Sequence, residues 1–212
     1  MLASAMRAMF TKNRLEAFSD GVLAIVITIM VLELKAPHAA DGHGAGLDAL
    51  RPLLPVFLSY VLSFVYVGIY WNNHHHMLHA AQRITGGVLW ANMHLLFWLS
   101  LIPFATAWVG ETHFASAPMA VYGAVLLLAA VAYLLLQWRI LRTCDGGSVL
   151  ARAIGGDAKG KLSMLMYAAA IPLAFVAPWI AGVIYVTIAL VWLVPDRRIE
   201  RAMSGERAEP MG

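Results

Sequence analysis

The sequence predicts an all-α integral membrane protein with six transmembrane helices, and three observations carry that expectation. Composition comes first: 61% of the 212 residues are hydrophobic, 13% are charged and the mean hydropathy is +0.72, whereas soluble domains carry about 25% charged residues. Apolar runs come second, at about 17–35, 53–72, 88–108, 118–138, 162–177 and 179–195, each near the roughly 20 residues that cross a bilayer. Third is the placement of lysine and arginine. Arg7, Lys12, Arg14, Arg83, Arg139, Arg142, Arg152, Lys159, Lys161, Arg197, Arg198, Arg201 and Arg207 fall on one side of that topology, and only Lys35 and Arg51 on the other. Basic loops stay in the cytoplasm, so both termini are expected there.

The first run follows positive charge as a signal peptide does, but it is longer than a typical apolar signal core. Lys35-Ala36-Pro37 is also a poor cleavage context, so the run is expected to persist as a helix. Gly42, Gly44 and Gly46 punctuate the loop after it, and Gly86-Gly87 open the third run. The last two runs share Ala177-Pro178, where proline disfavours helical continuation, so a tight hairpin is expected. The domain organisation that follows is a cytoplasmic segment 1–13, a six-helix membrane domain 14–196 and a cytoplasmic tail 197–212. Cys144 is alone, which excludes a disulfide framework.

Polar residues inside the first three runs share one depth. Arg14, Ser19 and Asp20 open the first run, Trp71, Asn72, Asn73, His74, His75 and His76 close the second, and Asn92 and His94 open the third. Such groups cost a few kcal/mol or more in lipid, so they are expected to face one another or a water-filled path. Trp71, Trp90 and Trp138 near inner ends, and Trp108 and Trp179 near outer ends, read as interfacial anchors.

The stretch Arg14-x-x-x-Phe18-Ser19-Asp20 is followed by Ser63-Phe64, Tyr70-Trp71-x-Asn73-His74-His75, Asn92 and Leu101-x-Pro103-Phe104-x-Thr106. These motifs, in this order over about the first 110 residues, resemble the lysosomal and endosomal potassium channel family called transmembrane protein 175, with its bacterial homologues. The resemblance implies a six-helix subunit, a homotetramer with helix one lining a central pore, and no re-entrant filter loop. The sequence contains no Thr-Val-Gly-Tyr-Gly filter, so selection would fall to side chains or a hydrophobic constriction. Carried over by residue, the narrowest ring matches Ile25, a hydroxyl ring matches Thr28 and a further apolar ring matches Leu32.

Helical geometry bears on the same residues. At about 100° per residue, Ile25, Thr28, Ile29 and Leu32 fall within roughly 100° of one another, and Asp20 lies about 140° from Ile25. If that stripe faces a pore, Asp20 points into the subunit, toward Arg14, Asn73, His74 or Asn92. The polar layer then serves as a structural network of Arg14, Phe18, Ser19, Asp20, Trp71, Asn73, His74, His75 and Asn92. His75 and His79 stand at i and i+4, a metal-binding spacing, but no acidic partner is near in sequence and no metal is expected. His76 stands where the family more often has arginine, which makes it a candidate proton sensor.

The expected function is a potassium-permeable cation channel of a bacterial inner membrane, with potassium and other monovalent cations, lipid and further copies of the chain as partners. A proton-coupled secondary transporter is the alternative, because intramembrane Asp and Arg also mark ion relays and Pro103, Pro172 and Pro178 interrupt runs. No nucleophile, carboxylate pair or metal set converges in the apolar region, so no catalytic residue and no cofactor are expected. The basic residues are dispersed among loops rather than gathered on a face, which argues against a nucleic-acid partner.

Overall fold

The computed structural model describes residues 2–36, 46–79, 81–143 and 158–193. Among these residues, seven α-helices and one 3-10 segment occur and no strand: α1 (Leu2–Leu32), the 3-10 segment (Leu47–Leu53), α2 (Leu54–His79), α3 (Gly86–Ser100), α4 (Ile102–Glu111), α5 (Ser116–Leu141), α6 (Ala158–Val176) and α7 (Pro178–Leu193). Helix α1 runs back to Leu2, so its 31 residues span about 46 Å and exceed the roughly 30 Å hydrocarbon layer. The expected end of the membrane domain and the whole tail, 197–212, lie outside the described residues.

Local chemistry sets the breaks. Thr85 caps α3, its Oγ1 accepting the Val88 N–H at 3.4 Å. The third apolar run is expected as one helix, but the chain breaks at Leu101 into α3 and α4. Pro103 sits in the first turn of α4 and lacks the N–H that would continue the helical ladder. Helix α4 ends on two residues of positive φ, His113 (53°) and Phe114 (60°), and the Phe114 N–H closes on the Val109 carbonyl at 2.9 Å. That wrap satisfies the last carbonyls of α4 before α5 begins. Ala177 interrupts α6 and α7 as the hairpin reading anticipates, and the Trp192 indole N–H reaches Ser163 Oγ at 2.9 Å to close the hairpin's far end.

Large apolar side chains face outward, among them Phe97, Phe104, Val176, Val183 and Leu190. Small ones line the helix contacts: Ala129, Ala132, Ala170, Ala174, Ala181 and Ala189 are buried. Lipid tails give no hydrophobic reason to bury large residues, so small ones gather where helices must approach closely. The most extensive contact joins α5 to α6, and α1 packs against α2, α3 and α4. Five described helical stretches are long and apolar enough to cross a membrane, and α7 is a shorter apolar helix of 16 residues.

Candidate functional site

Helix α1 has two faces of opposite character. Leu15, Ser19, Leu23, Val26 and Met30 recur every three or four residues and are buried against the subunit. The other face carries Phe18, Ile25, Ile29 and Leu32, which are 49%, 58%, 43% and 73% exposed, and Thr28 is exposed with them. The Thr28 hydroxyl donates to the Ile25 carbonyl at 3.0 Å. Its one proton is thereby used, and the oxygen keeps lone pairs that can only accept or coordinate.

A buried chain of polar groups fastens the inner face. Ser19 Oγ donates to the Leu15 carbonyl at 2.8 Å and accepts from Asn92 Nδ2 at 2.9 Å. Asn92 Oδ1 pairs with His74 Nε2 at 2.6 Å. An amide oxygen only accepts, so His74 carries its proton on Nε2 and the bonds run in one direction, from His74 through Asn92 to Ser19. Ser19 and Asn92 are fully buried and His74 is 1% exposed, and each side-chain polar atom of Ser19 and Asn92 has a hydrogen-bond partner, which is the condition for keeping polar groups in an apolar body. The three residues join α1, α3 and α2.

Asp20 takes a partner other than the four expected for it. Its Oδ1 accepts the Trp71 indole N–H at 3.0 Å, at an exposed position. Asn92 and His74 already satisfy each other, Asn73 Nδ2 turns back to the Ile69 carbonyl of its own helix at 2.9 Å, and Arg14 is exposed. One residue past Ser19, the helical rotation of about 100° carries Asp20 off the buried seam to the edge of α2, where Trp71 stands. Trp71, His75 and His79 form an aromatic column along that edge, with successive ring centroids 6.1 and 6.3 Å apart and interplanar angles of 26° and 18°. The histidine rings therefore stack instead of converging on a point. Among the described residues no group of three or more His, Cys, Asp or Glu is placed to hold a metal. His76 stands half-buried, edge-on to His75 at 5.8 Å.

Two further features escape the sequence. Lys12 Nζ donates to the carbonyls of His79 and Ala81, the latter at 3.3 Å, so a cation from α1 covers the carbonyl end of α2. Thr106 and Ser63 Oγ are hydrogen-bonded at 2.6 Å and Ser63 lies 2.9 Å from the Tyr122 hydroxyl, which ties α4, α2 and α5 in a second buried chain. Ser63 and Thr106 stand in the motifs quoted above, but nothing local marks Tyr122 as their partner. Between α1 and α4 runs an open groove of about 750 Å³, lined by Ile25, Ile29, Pro103 and Phe104, with Glu33 and Glu111 also on its wall.

The fold and site define a multi-pass helical membrane protein in which one helix is fixed by a polar seam and turns an apolar, hydroxyl-bearing stripe outward. The family profile described as endosomal/lysosomal potassium channel TMEM175 matches residues 14–103, the span that holds the seam and the stripe. A potassium channel of Chryseobacterium sp. (strain P1-3) is 52% identical over 194 residues, covering 91% of this chain and 98% of that one. A potassium channel of Chamaesiphon minutus is 33% identical over 185 residues, covering 82% and 90%. Among solved structures, a lysosomal potassium-selective channel TMEM175 homolog from Chamaesiphon minutus superposes with a TM-score of 0.74 at 27% identity, covering 87% of this chain and 97% of that one. The chain belongs to the TMEM175 potassium channel family, and it is not an enzyme.

Proposed function

We propose that the chain forms a potassium-permeable cation channel of a bacterial inner membrane, a homotetramer with cytoplasmic termini in which α1 lines the pore. The observation that supports this most is the exposed stripe of Ile25, Thr28, Ile29 and Leu32 on a helix whose other face is fixed to the subunit. Four Ile25 side chains converging on an axis exclude water and close the path by dewetting. A small rotation or splaying of α1 readmits a cation. Thr28 adds hydroxyl oxygens that replace part of the ion's hydration shell, which favours the more easily dehydrated potassium over sodium. Leu32 adds a second apolar ring toward the outer end. Selection proceeds without backbone carbonyl rings, in keeping with the absence of a Thr-Val-Gly-Tyr-Gly stretch.

The charge distribution supports the topology. Lys12, Arg14, Arg83, Arg139 and Arg142 gather at the end of the bundle where α1 and α3 enter and α2 and α5 leave, and Lys35 and Arg51 lie at the other. The Ser19–Asn92–His74 chain holds the stripe in phase, so that burial of Ser19 fixes which residues face the axis. Potassium flux and single-channel recording in liposomes test the proposal. Unitary steps and a larger, less selective leak in Ile25→Asn support it; saturable proton-coupled exchange, or an Ile25→Asn protein with unchanged currents, rejects it.

A further inference from the structure

We propose that Arg139 and Arg142, carried on the Trp138 ring at the end of α5, form a seat for the headgroup of an anionic phospholipid. The Arg142 guanidinium carbon lies 3.6 Å from the Trp138 ring centroid and that of Arg139 lies 5.0 Å away, so one indole organises two cations. Both arginines are exposed. Among the described residues neither has a carboxylate within ion-pair distance: the two ion pairs, Lys35–Glu111 and Arg51–Asp48, lie at the opposite end of the bundle. Two adjacent positive charges with no anion among the described residues suit one from outside.

The surroundings favour a lipid over a free anion. Trp138 is 41% exposed, and Trp90 of α3 is 78% exposed near the same end; exposed indoles settle at the boundary between hydrocarbon and headgroups. A guanidinium stacked at that depth meets phosphodiester oxygens with its fork of N–H donors. Val131 is also exposed, and seven residues before Trp138 it shares that face of α5, giving an acyl chain an apolar track below the headgroup. Gly87 completes the fit, because Arg139 lies across the start of α3: a Cβ there would meet its Nη1 at 3.4 Å and its Cδ at 3.7 Å. A lipid phosphate on this seat would bridge the end of α5 to the start of α3, which carries Asn92 and so the seam that fixes α1.

The test uses the full-length protein in detergent as its assembled oligomer, titrated separately with phosphatidylglycerol, phosphatidylcholine of the same acyl chains and sn-glycerol 3-phosphate. Bound molecules are counted by native mass spectrometry. One phosphatidylglycerol per protomer is expected, R139Q/R142Q weakening it about 30-fold and R83Q, which removes a charge from the same end, by no more than about threefold. Should the double variant fail to assemble, R142Q is expected to weaken binding about fivefold and R142K to keep it within about twofold. Equal binding of phosphatidylcholine, equal loss in R83Q, undiminished binding in the arginine variants, or displacement of the lipid by an equal concentration of glycerol phosphate overturns the proposal, the last by identifying a free-anion site.

Discussion

Helix α1 and the bundle that carries it are held by different means. Helices α2 and α4 to α7 interlock through backbone approaches that leave no room for a side chain: a Cβ on Gly110 would lie 2.7 Å from both Val56 Cα and Ser59 Oγ, and one on Gly123 would overlap the Tyr185 hydroxyl and sit 3.0 Å from its Cζ. Tyr66 and Tyr185 reinforce this core by donating across helices, Tyr66 to the Tyr185 carbonyl at 2.6 Å and Tyr185 to the Met119 carbonyl at 3.0 Å. Helix α1 has no such lock among its described residues. It rests on one buried apolar stripe, the Ser19–Asn92–His74 chain, the exposed Asp20–Trp71 bond and the reach of Lys12 to the end of α2. Under the proposed function, a closely packed scaffold with one helix attached by a few polar bonds suits a gate of small amplitude, in which α1 would shift while the core stays packed.

The contrast is broken most severely in the scaffold. Gly123→Ala and Gly110→Ala force backbone or a buried tyrosine to move, at about 3 kcal/mol each; thermal melting of the detergent-solubilised protein should fall sharply, and any surviving assembled protein should keep its ion selectivity. Next in size is Asn92→Ala, which strands the His74 N–H and removes one bond to Ser19, at about 2 kcal/mol. Unlike the glycine changes it should also alter potassium flux, because the phase of α1 is released; a destabilised protein with wild-type flux per oligomer would show that the seam does not position α1. Smallest is Trp71→Phe, which deletes one exposed bond to Asp20 at about 0.5–1 kcal/mol. Melting should barely change, and a loss as large as that of Asn92→Ala would transfer the clamping role from the buried chain to Asp20.

Much of this division is legible in the sequence. The depth at which Ser19, His74 and Asn92 stand marks a polar layer, and helical phase places Ile25, Thr28, Ile29 and Leu32 together on one stripe, with Ile25 about 140° from Asp20. Who pairs with whom within the layer is not legible, because hydrogen-bond choice depends on how packed helices are rotated against each other. Asp20 turns to Trp71, Asn73 bonds back along its own helix, and Arg14 stays exposed for that reason. The tyrosine core is hidden for a similar cause: Tyr66, Tyr122, Tyr167 and Tyr185 come from four separate helices and leave no local pattern. The break at Leu101 was signalled by Pro103 alone, in a run whose hydropathy continues unbroken across it.

The central claim, that the exposed stripe of α1 is the ion path, is tested most directly by cysteine modification at its midpoint. Cys144 is the chain's one cysteine, so Ile25→Cys in a Cys144→Ser background offers a single thiol. A charged methanethiosulfonate reagent applied to liposomes should block potassium flux through this protein and leave unchanged a control with Leu190→Cys, on the exposed face of α7. Complete labelling of residue 25 with undiminished potassium flux would contradict the account.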